Sequence, residues 1–260
     1  MNLGKIGFGT YGLKDADTTR EAIQFALENG YTHIDTATIY KNEEFVGQAI
    51  KDFNPNKFTL TTKVWTTDLS YDDVMRSFEE SYKKLNGKID ILLIHWPHPE
   101  KLLDAYRALE KLKEDASVKE IGVSNFEIRH LELLKNKANI KPFLNQIEAH
   151  PKLAQNELRT YLSREDILLQ SWSPIARGHY NNDKIIVDLA KKYKVTPNQI
   201  ILNWHISRNY HPIPKSATPK HILENLQATD LKLDEFDLRI INSLDEGLRT
   251  GEHPELFDYK

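Results

Sequence analysis

Cysteine is missing from the 260 residues, and its absence excludes a disulfide scaffold, a thiolate-ligated zinc site and a catalytic thiol together. It suits a reducing compartment, so a cytoplasmic location is expected. No uninterrupted apolar run approaches membrane-spanning length. The opening MNLGKIGFGTYGL has a single Lys and no sustained apolar stretch, unlike a signal peptide, so no membrane partner is expected. An excess of one charge is lacking too. At a net −3, with Lys and Arg scattered along the chain, there is no footprint for nucleic acid. No Pro-rich linker, low-complexity tract or compositional break divides the chain, which reads as one domain over 1–260.

What is present is alternation. Short apolar runs are expected as strands at Lys5–Gly9, His33–Thr36, Phe58–Val64, Ile89–His95, Glu120–Ser124, Phe143–Glu148, Ile167–Trp172 and Pro212–Pro214. Amphipathic stretches follow them, from Thr18–Asn29, with Asp17 as expected N-cap, through Glu43–Lys51 and Tyr71–Leu85, capped by Ser70, to Pro219–Ala228 and Leu233–Leu244. Asp183–Tyr193 and Pro197–Arg208 supply two helices in succession after the seventh strand. Strict β-then-α order implies a parallel sheet. Eight units in about 250 residues predict an α/β fold, a single (β/α)8 TIM barrel with extra helices after strand seven and at the C-terminus.

Such barrels place their active sites at the C-terminal ends of the strands. The polar residues there are Asp35, with Tyr40 in the next loop; Lys63 and Trp65; His95 and Trp96; Ser124 and Asn125; Gln146 and Glu148; Trp172 and Ser173; Lys215 and Ser216. Asp35, Lys63 and His95 end three successive strands, so their side chains can converge. An ammonium near a phenol is expected to lower the phenol's pKa, and an Asp to hold the ammonium charged. With a His to orient a substrate oxygen, the set suits protonation of an oxygen that is gaining negative charge. It contains no nucleophile and no metal cluster, so the reducing power has to come from a cofactor. A salt bridge at the barrel rim is the plainer alternative for these residues.

At this point the chain resembles the aldo-keto reductases. The resemblance rests on DTATIYKNEEFVGQAI (Asp35–Ile50), TTKVW (Thr61–Trp65), LIHWP (Leu93–Pro97), GVSNF (Gly122–Phe126), NQIE (Asn145–Glu148) and IPKS (Ile213–Ser216), in order along the whole chain. Within that family the chain is most similar to the bacterial 2,5-diketo-D-gluconate reductases, particularly the B type that also reduces methylglyoxal. The resemblance implies a catalytic tetrad of Asp35, Tyr40, Lys63 and His95, with Tyr40 as general acid. It implies NADP(H) as cofactor, held by Thr10, Ser124, Asn125, Gln146, Trp172, Ser173, Lys215, Ser216, Thr218, His221, Glu224 and Asn225. The nicotinamide carboxamide would lie against Ser124, Asn125 and Gln146, with the ring on Trp172. Tyr11, Trp65, His95 and Trp96 would meet a small-molecule carbonyl substrate, with the chain working as a monomer. The family usually has Arg where this chain has His221, which weakens discrimination by the 2′-phosphate and leaves NAD(H) possible. The loop from Trp96 to Leu102 and the tail after Leu248 are short, so an open pocket tolerant of small dicarbonyls and sugar-derived ketones is expected.

Three other readings are weaker. Gly7–Gly12 spells G-x-G-x-x-G after a strand, but a dinucleotide-binding Rossmann unit needs its helix to open at the third glycine. His95 and His98 lack the further ligands of a metal-dependent hydrolase. A non-catalytic, nicotinamide-cofactor-binding regulatory barrel has no need of all four tetrad groups.

Overall fold

The computed structural model of the chain describes residues 1–180 and 182–259. Eight parallel strands lie side by side in chain order: β1 (Phe8–Gly9), β2 (His33–Asp35), β3 (Thr59–Val64), β4 (Ile91–Ile94), β5 (Glu120–Ser124), β6 (Leu144–Glu148), β7 (Leu168–Trp172) and β8 (Tyr210–Pro212). Helices α1 (Ala16–Glu28), α2 (Glu43–Ile50), α3 (Tyr71–Lys84), α4 (Leu102–Glu114), α5 (Ile128–Lys137) and α6 (Asn156–Arg164) connect them up to β7. Then come α7 (Lys184–Tyr193) and α8 (Pro197–Ser207) before β8, and α9 (Pro219–Gln227) and α10 (Glu235–Asn242) after it. Among the described residues no helix is long and apolar enough to cross a membrane.

Two faces of the sheet are buried differently. In β4, Leu92 and Ile94 join the large core between strands and helices, whereas Ile91 and Leu93 pack with Leu144 and Leu3 in a small separate cluster. Strand side chains alternate, so the residues sharing parity with Ile91 and Leu93 form the opposite face. That face carries the polar groups of the site.

Some expected boundaries move. The first helix is capped by Asp15, not Asp17. Asp15 is extended and accepts the Thr18 N–H at 2.8 Å, while Asp17 sits inside the first turn and pairs with Arg20. The last strand is Tyr210–Pro212 rather than Pro212–Pro214: the Ile213 N–H still donates to Ser171 O at 3.1 Å, but Pro212 and Pro214 have no N–H to give. Their carbonyls are used instead: Gly7 N–H donates to Pro212 O at 2.9 Å and Gly9 N–H to Pro214 O at 3.2 Å. After Gly12 the chain turns before opening α1 at Ala16, which is not the geometry of a Rossmann phosphate loop.

Candidate active site

Strand register explains how residues far apart in sequence meet. Asp35 pairs with Thr61, and Lys63 lies two residues further along β3; Lys63 pairs with Leu93, and His95 lies two residues beyond it. Two residues is one side-chain repeat, so all three project from the same face, each one repeat further along its strand than the last. Tyr40 arrives on a short 3₁₀ turn, Thr38–Tyr40, that Thr38 Oγ1 ties to Lys63 O at 3.0 Å.

The Lys63 ammonium is fully buried and spends its protons on three acceptors: Asp35 Oδ1 at 2.6 Å, Thr36 O at 2.8 Å and Tyr40 Oη at 3.4 Å. Burial pulls the Lys63 pKa down against the opposing pull of Asp35, and burial pushes Asp35 up against the opposing effect of Lys63. Contrary to the sequence expectation, the Tyr40 phenol is held well above its ordinary value, by burial first and by the nearby Asp35 carboxylate second. It is therefore a protonated group at neutral pH. His95 is held well below its ordinary range by burial and by Lys63, so its imidazole is neutral. Its Nδ1 is enclosed without a partner. The His95 ring stands edge-on to Tyr40 at 5.8 Å and to Trp65 at 5.1 Å.

The interior continues as a hydrogen-bonded chain. Gln146 Nε2 donates to Asp35 Oδ2 at 2.7 Å and to Gln170 Oε1 at 2.6 Å, Gln170 reaches His33 Nδ1 at 3.4 Å, and His33 Nε2 meets Thr61 Oγ1 at 2.9 Å. Beside it, Ser124 Oγ donates to Gln146 O at 2.9 Å and Asn125 Nδ2 to Ser124 Oγ at 3.1 Å. The Trp172 indole N–H donates to Asn125 Oδ1 at 2.8 Å. Thr10 is buried, with its hydroxyl on Asp35 O. Thus Thr10 and Gln146 touch Asp35 directly and Ser124, Asn125 and Trp172 follow from Gln146 by successive hydrogen bonds, while Ser173 begins a left-handed turn at φ 47° just beyond Trp172.

The remaining expected residues form a second group at the start of α9. Thr218 is its N-cap position, Ser216 Oγ accepts the Thr218 N–H at 3.0 Å, and His221 stands exposed in the first turn. Lys215 is exposed and its chain passes beside Gly12. Lys220 is turned toward Glu224, 3.8 Å away, and Asn225 is buried. A helix N-terminus with these residues fits an anionic group.

Sequence reasoning missed Gln170, His33 and Thr61, which look like ordinary strand residues, and it missed the tail. Phe257 stacks on Trp96 at 4.1 Å and meets Trp65 edge-on at 5.8 Å, so Trp96 is covered rather than lining an open mouth. Tyr11 is exposed and packs edge-on against Tyr40 at 5.1 Å. An aromatic tail residue was the only signal for this covering, and it has no periodic context.

Comparison with known proteins follows the same lines. Residues 5–246 match the Aldo/keto reductase family. The chain is 39% identical to glyoxal reductase of Bacillus subtilis over 253 residues, covering 96% of this chain and 92% of that protein. It is 40% identical to methylglyoxal reductase DkgA of Escherichia coli K12 over 260 residues, covering 97% and 94%. Among solved structures, MGS-M4, an aldo-keto reductase from a deep-sea metagenome library, superposes with a TM-score of 0.96 at 38% identity, covering 100% and 97%. A Gox0644 mutant solved in complex with NADPH superposes with a TM-score of 0.93 at 37% identity, covering 98% and 94%.

Proposed function

The chain belongs to the aldo/keto reductase family and is an NADP-dependent oxidoreductase; we propose that it reduces small carbonyl compounds with Tyr40 as general acid. The observation that carries this reading is the allocation of protons around Lys63. With Asp35, Thr36 O and Tyr40 Oη all accepting from the ammonium, the phenol oxygen is used as an acceptor on its inner side. The Tyr40 O–H is thereby left free to donate elsewhere, and the His95 ring stands edge-on to the phenol.

NADPH, when bound, supplies the hydride. Thr10, Ser124, Asn125, Gln146, Trp172 and Ser173 would hold its nicotinamide end, and Lys215, Ser216, Thr218, His221, Glu224 and Asn225 its adenosine phosphate end. The half-buried Trp172 ring and the anion-suited start of α9 support that fit. His95, neutral, can give one hydrogen bond to the substrate oxygen and so orient the carbonyl. Tyr40 then gives its proton to that oxygen as negative charge develops there. The phenol's raised pKa keeps the proton available at neutral pH. Once it is given, the phenolate sits against the Lys63 ammonium, which stabilises it.

Tyr11 and Trp65 meet small carbonyls in this reading, with Trp96 lying beneath Phe257. The relatives named for glyoxal and methylglyoxal support dicarbonyls as substrates. We take the eight strands to close as a (β/α)8 barrel in one domain, supported by the Gly7–Pro212 and Gly9–Pro214 bonds between its first and last strands. The chain acts as a cytoplasmic monomer in this reading. Replacing Tyr40 with Phe is expected to lower methylglyoxal turnover by about 10²–10⁴-fold while NADPH binding persists. Unchanged turnover would remove Tyr40 from the acid role; a wild-type chain that binds NADPH without turning over any carbonyl would favour the regulatory barrel.

A further inference from the structure

Glu148, the last residue of β6, is 1% exposed and takes no part in the proton transfer described above. Its carboxylate reaches across the chain to the segment after α10. Oε1 accepts the Thr250 N–H at 2.7 Å and the Thr250 hydroxyl, and Oε2 accepts the Gly251 N–H at 3.2 Å. His150 Nε2 lies 3.4 Å from Oε1. Burial alone would raise the Glu148 pKa; the donors from His150, Thr250 and Gly251 outweigh it and keep the group an anion.

The residue paired with Glu148 across the sheet is Trp172. The indole is held at two places. Its N–H donates to Asn125 Oδ1, and its far edge, Cη2, rests on Gly251. A Cβ on Gly251 would overlap Cη2 and lie 3.1 Å from Cζ3. Moving the ring aside would strain its bond to Asn125, so a side chain at position 251 is expected to disturb the indole.

We propose that Glu148 is a positioning residue: by gripping Thr250 and Gly251 it seats the C-terminal segment against Trp172 and thereby sets the pose of the indole. This rests on the reading of Trp172 as the nicotinamide wall. A segment some hundred residues away in sequence thus bears on the cofactor site through the indole.

Calorimetric titration with NADPH tests the proposal on wild type, Gly251→Ala, Trp172→Phe, the double variant and Glu148→Gln. Gly251→Ala is expected to weaken NADPH binding about tenfold, the consequence of about 1.4 kcal/mol of overpacking. In the Trp172→Phe background, whose shorter ring leaves room for the methyl, the same change is expected to cost about twofold at most. Glu148→Gln is expected to weaken NADPH comparably and to speed tryptic cleavage after Arg249, as the released segment opens. Equal effects of Gly251→Ala in both backgrounds, or a Glu148→Gln protein with unaltered affinity and cleavage, would overturn the positioning role. A wild-type chain that takes up no NADPH would instead overturn the functional reading beneath it.

Discussion

His221 stands exposed on the first turn of α9, just after the loop that carries Lys215 and Ser216. An imidazole there is a weak partner for a phosphate, because it cannot form the two-pronged contact of a guanidinium. Lys220 does not take over the role; it lies toward Glu224. His221→Arg is therefore expected to tighten NADPH by about 10–150-fold and NADH hardly at all, one bidentate charged contact being worth roughly 1.5–3 kcal/mol. Titration with both cofactors checks it, and equal tightening of the two would mean that residue 221 does not face the 2′-phosphate. The meeting of Asp35, Lys63 and His95 on one face was legible residue by residue. Asp35, Lys63 and His95 are ionisable groups ending apolar strands, and one-repeat offsets keep them on one face. The direction of the Tyr40 shift was not legible. A nearby ammonium argues for a lower pKa, and only the enclosure of the phenol and the presence of Asp35 behind it reverse the sign.

At the scale of elements, α2 shows how closely the helices are set. Its first-turn Glu43 is buried and accepts from Thr62 Oγ1 of β3 at 2.6 Å and from Ser81 Oγ of α3 at 3.1 Å. One turn later Gly47 faces the C-terminal end of α3, where a Cβ would collide with the Lys84 carbonyl oxygen and lie 3.1 Å from Leu85 Cα. Both are backbone atoms and cannot step aside. Gly47→Ala, which helix propensity alone would favour, is expected to destabilise the protein by about 1–3 kcal/mol. A chemical denaturation curve measures this, and a rise in the midpoint would show that α2 can move off α3. Helix positions followed from periodicity, but their ends depended on local competition. Asp15 and Asp17 are equally good caps as residue types, and the extended backbone at Asp15 decides between them. The last strand shifted for a similar reason, since prolines end its ladder.

For the whole molecule, buried neutral histidines tie stability to pH. His33 and His205 are fully buried, and burial pushes the pKa of each down to about 3. Unfolded, a histidine titrates near 6.5. Between these values the unfolded chain holds more protons than the folded one, so stability is complete above about pH 6.5 and declines as the pH falls toward 3. Each such proton contributes at most about 1.4 kcal/mol per pH unit. Urea midpoints are therefore expected to be lower at pH 5 than at pH 7.5, and identical midpoints would mean that the two rings are hydrated in the native state. His33 also belongs to the polar chain that runs through Gln170 and Gln146 to Asp35, so acid unfolding and loss of the active site are expected to coincide.

The opening absences constrained this protein more than they described it. The lack of thiols excluded thiol chemistry, and the eight alternating units indicated that an ammonium and an imidazole would stand on one face. Those inferences rely on local physics, namely strand parity, helical period and the propensities of single residues. Tertiary structure decided what depends on contacts between distant segments. It buried Tyr40 and reversed its expected shift, ran a glutamine–histidine chain beneath Asp35, and brought Gly251 and Phe257 from the tail to Trp172 and Trp96. Burial and long-range contact have no period in a sequence; they exist only once the strands are side by side.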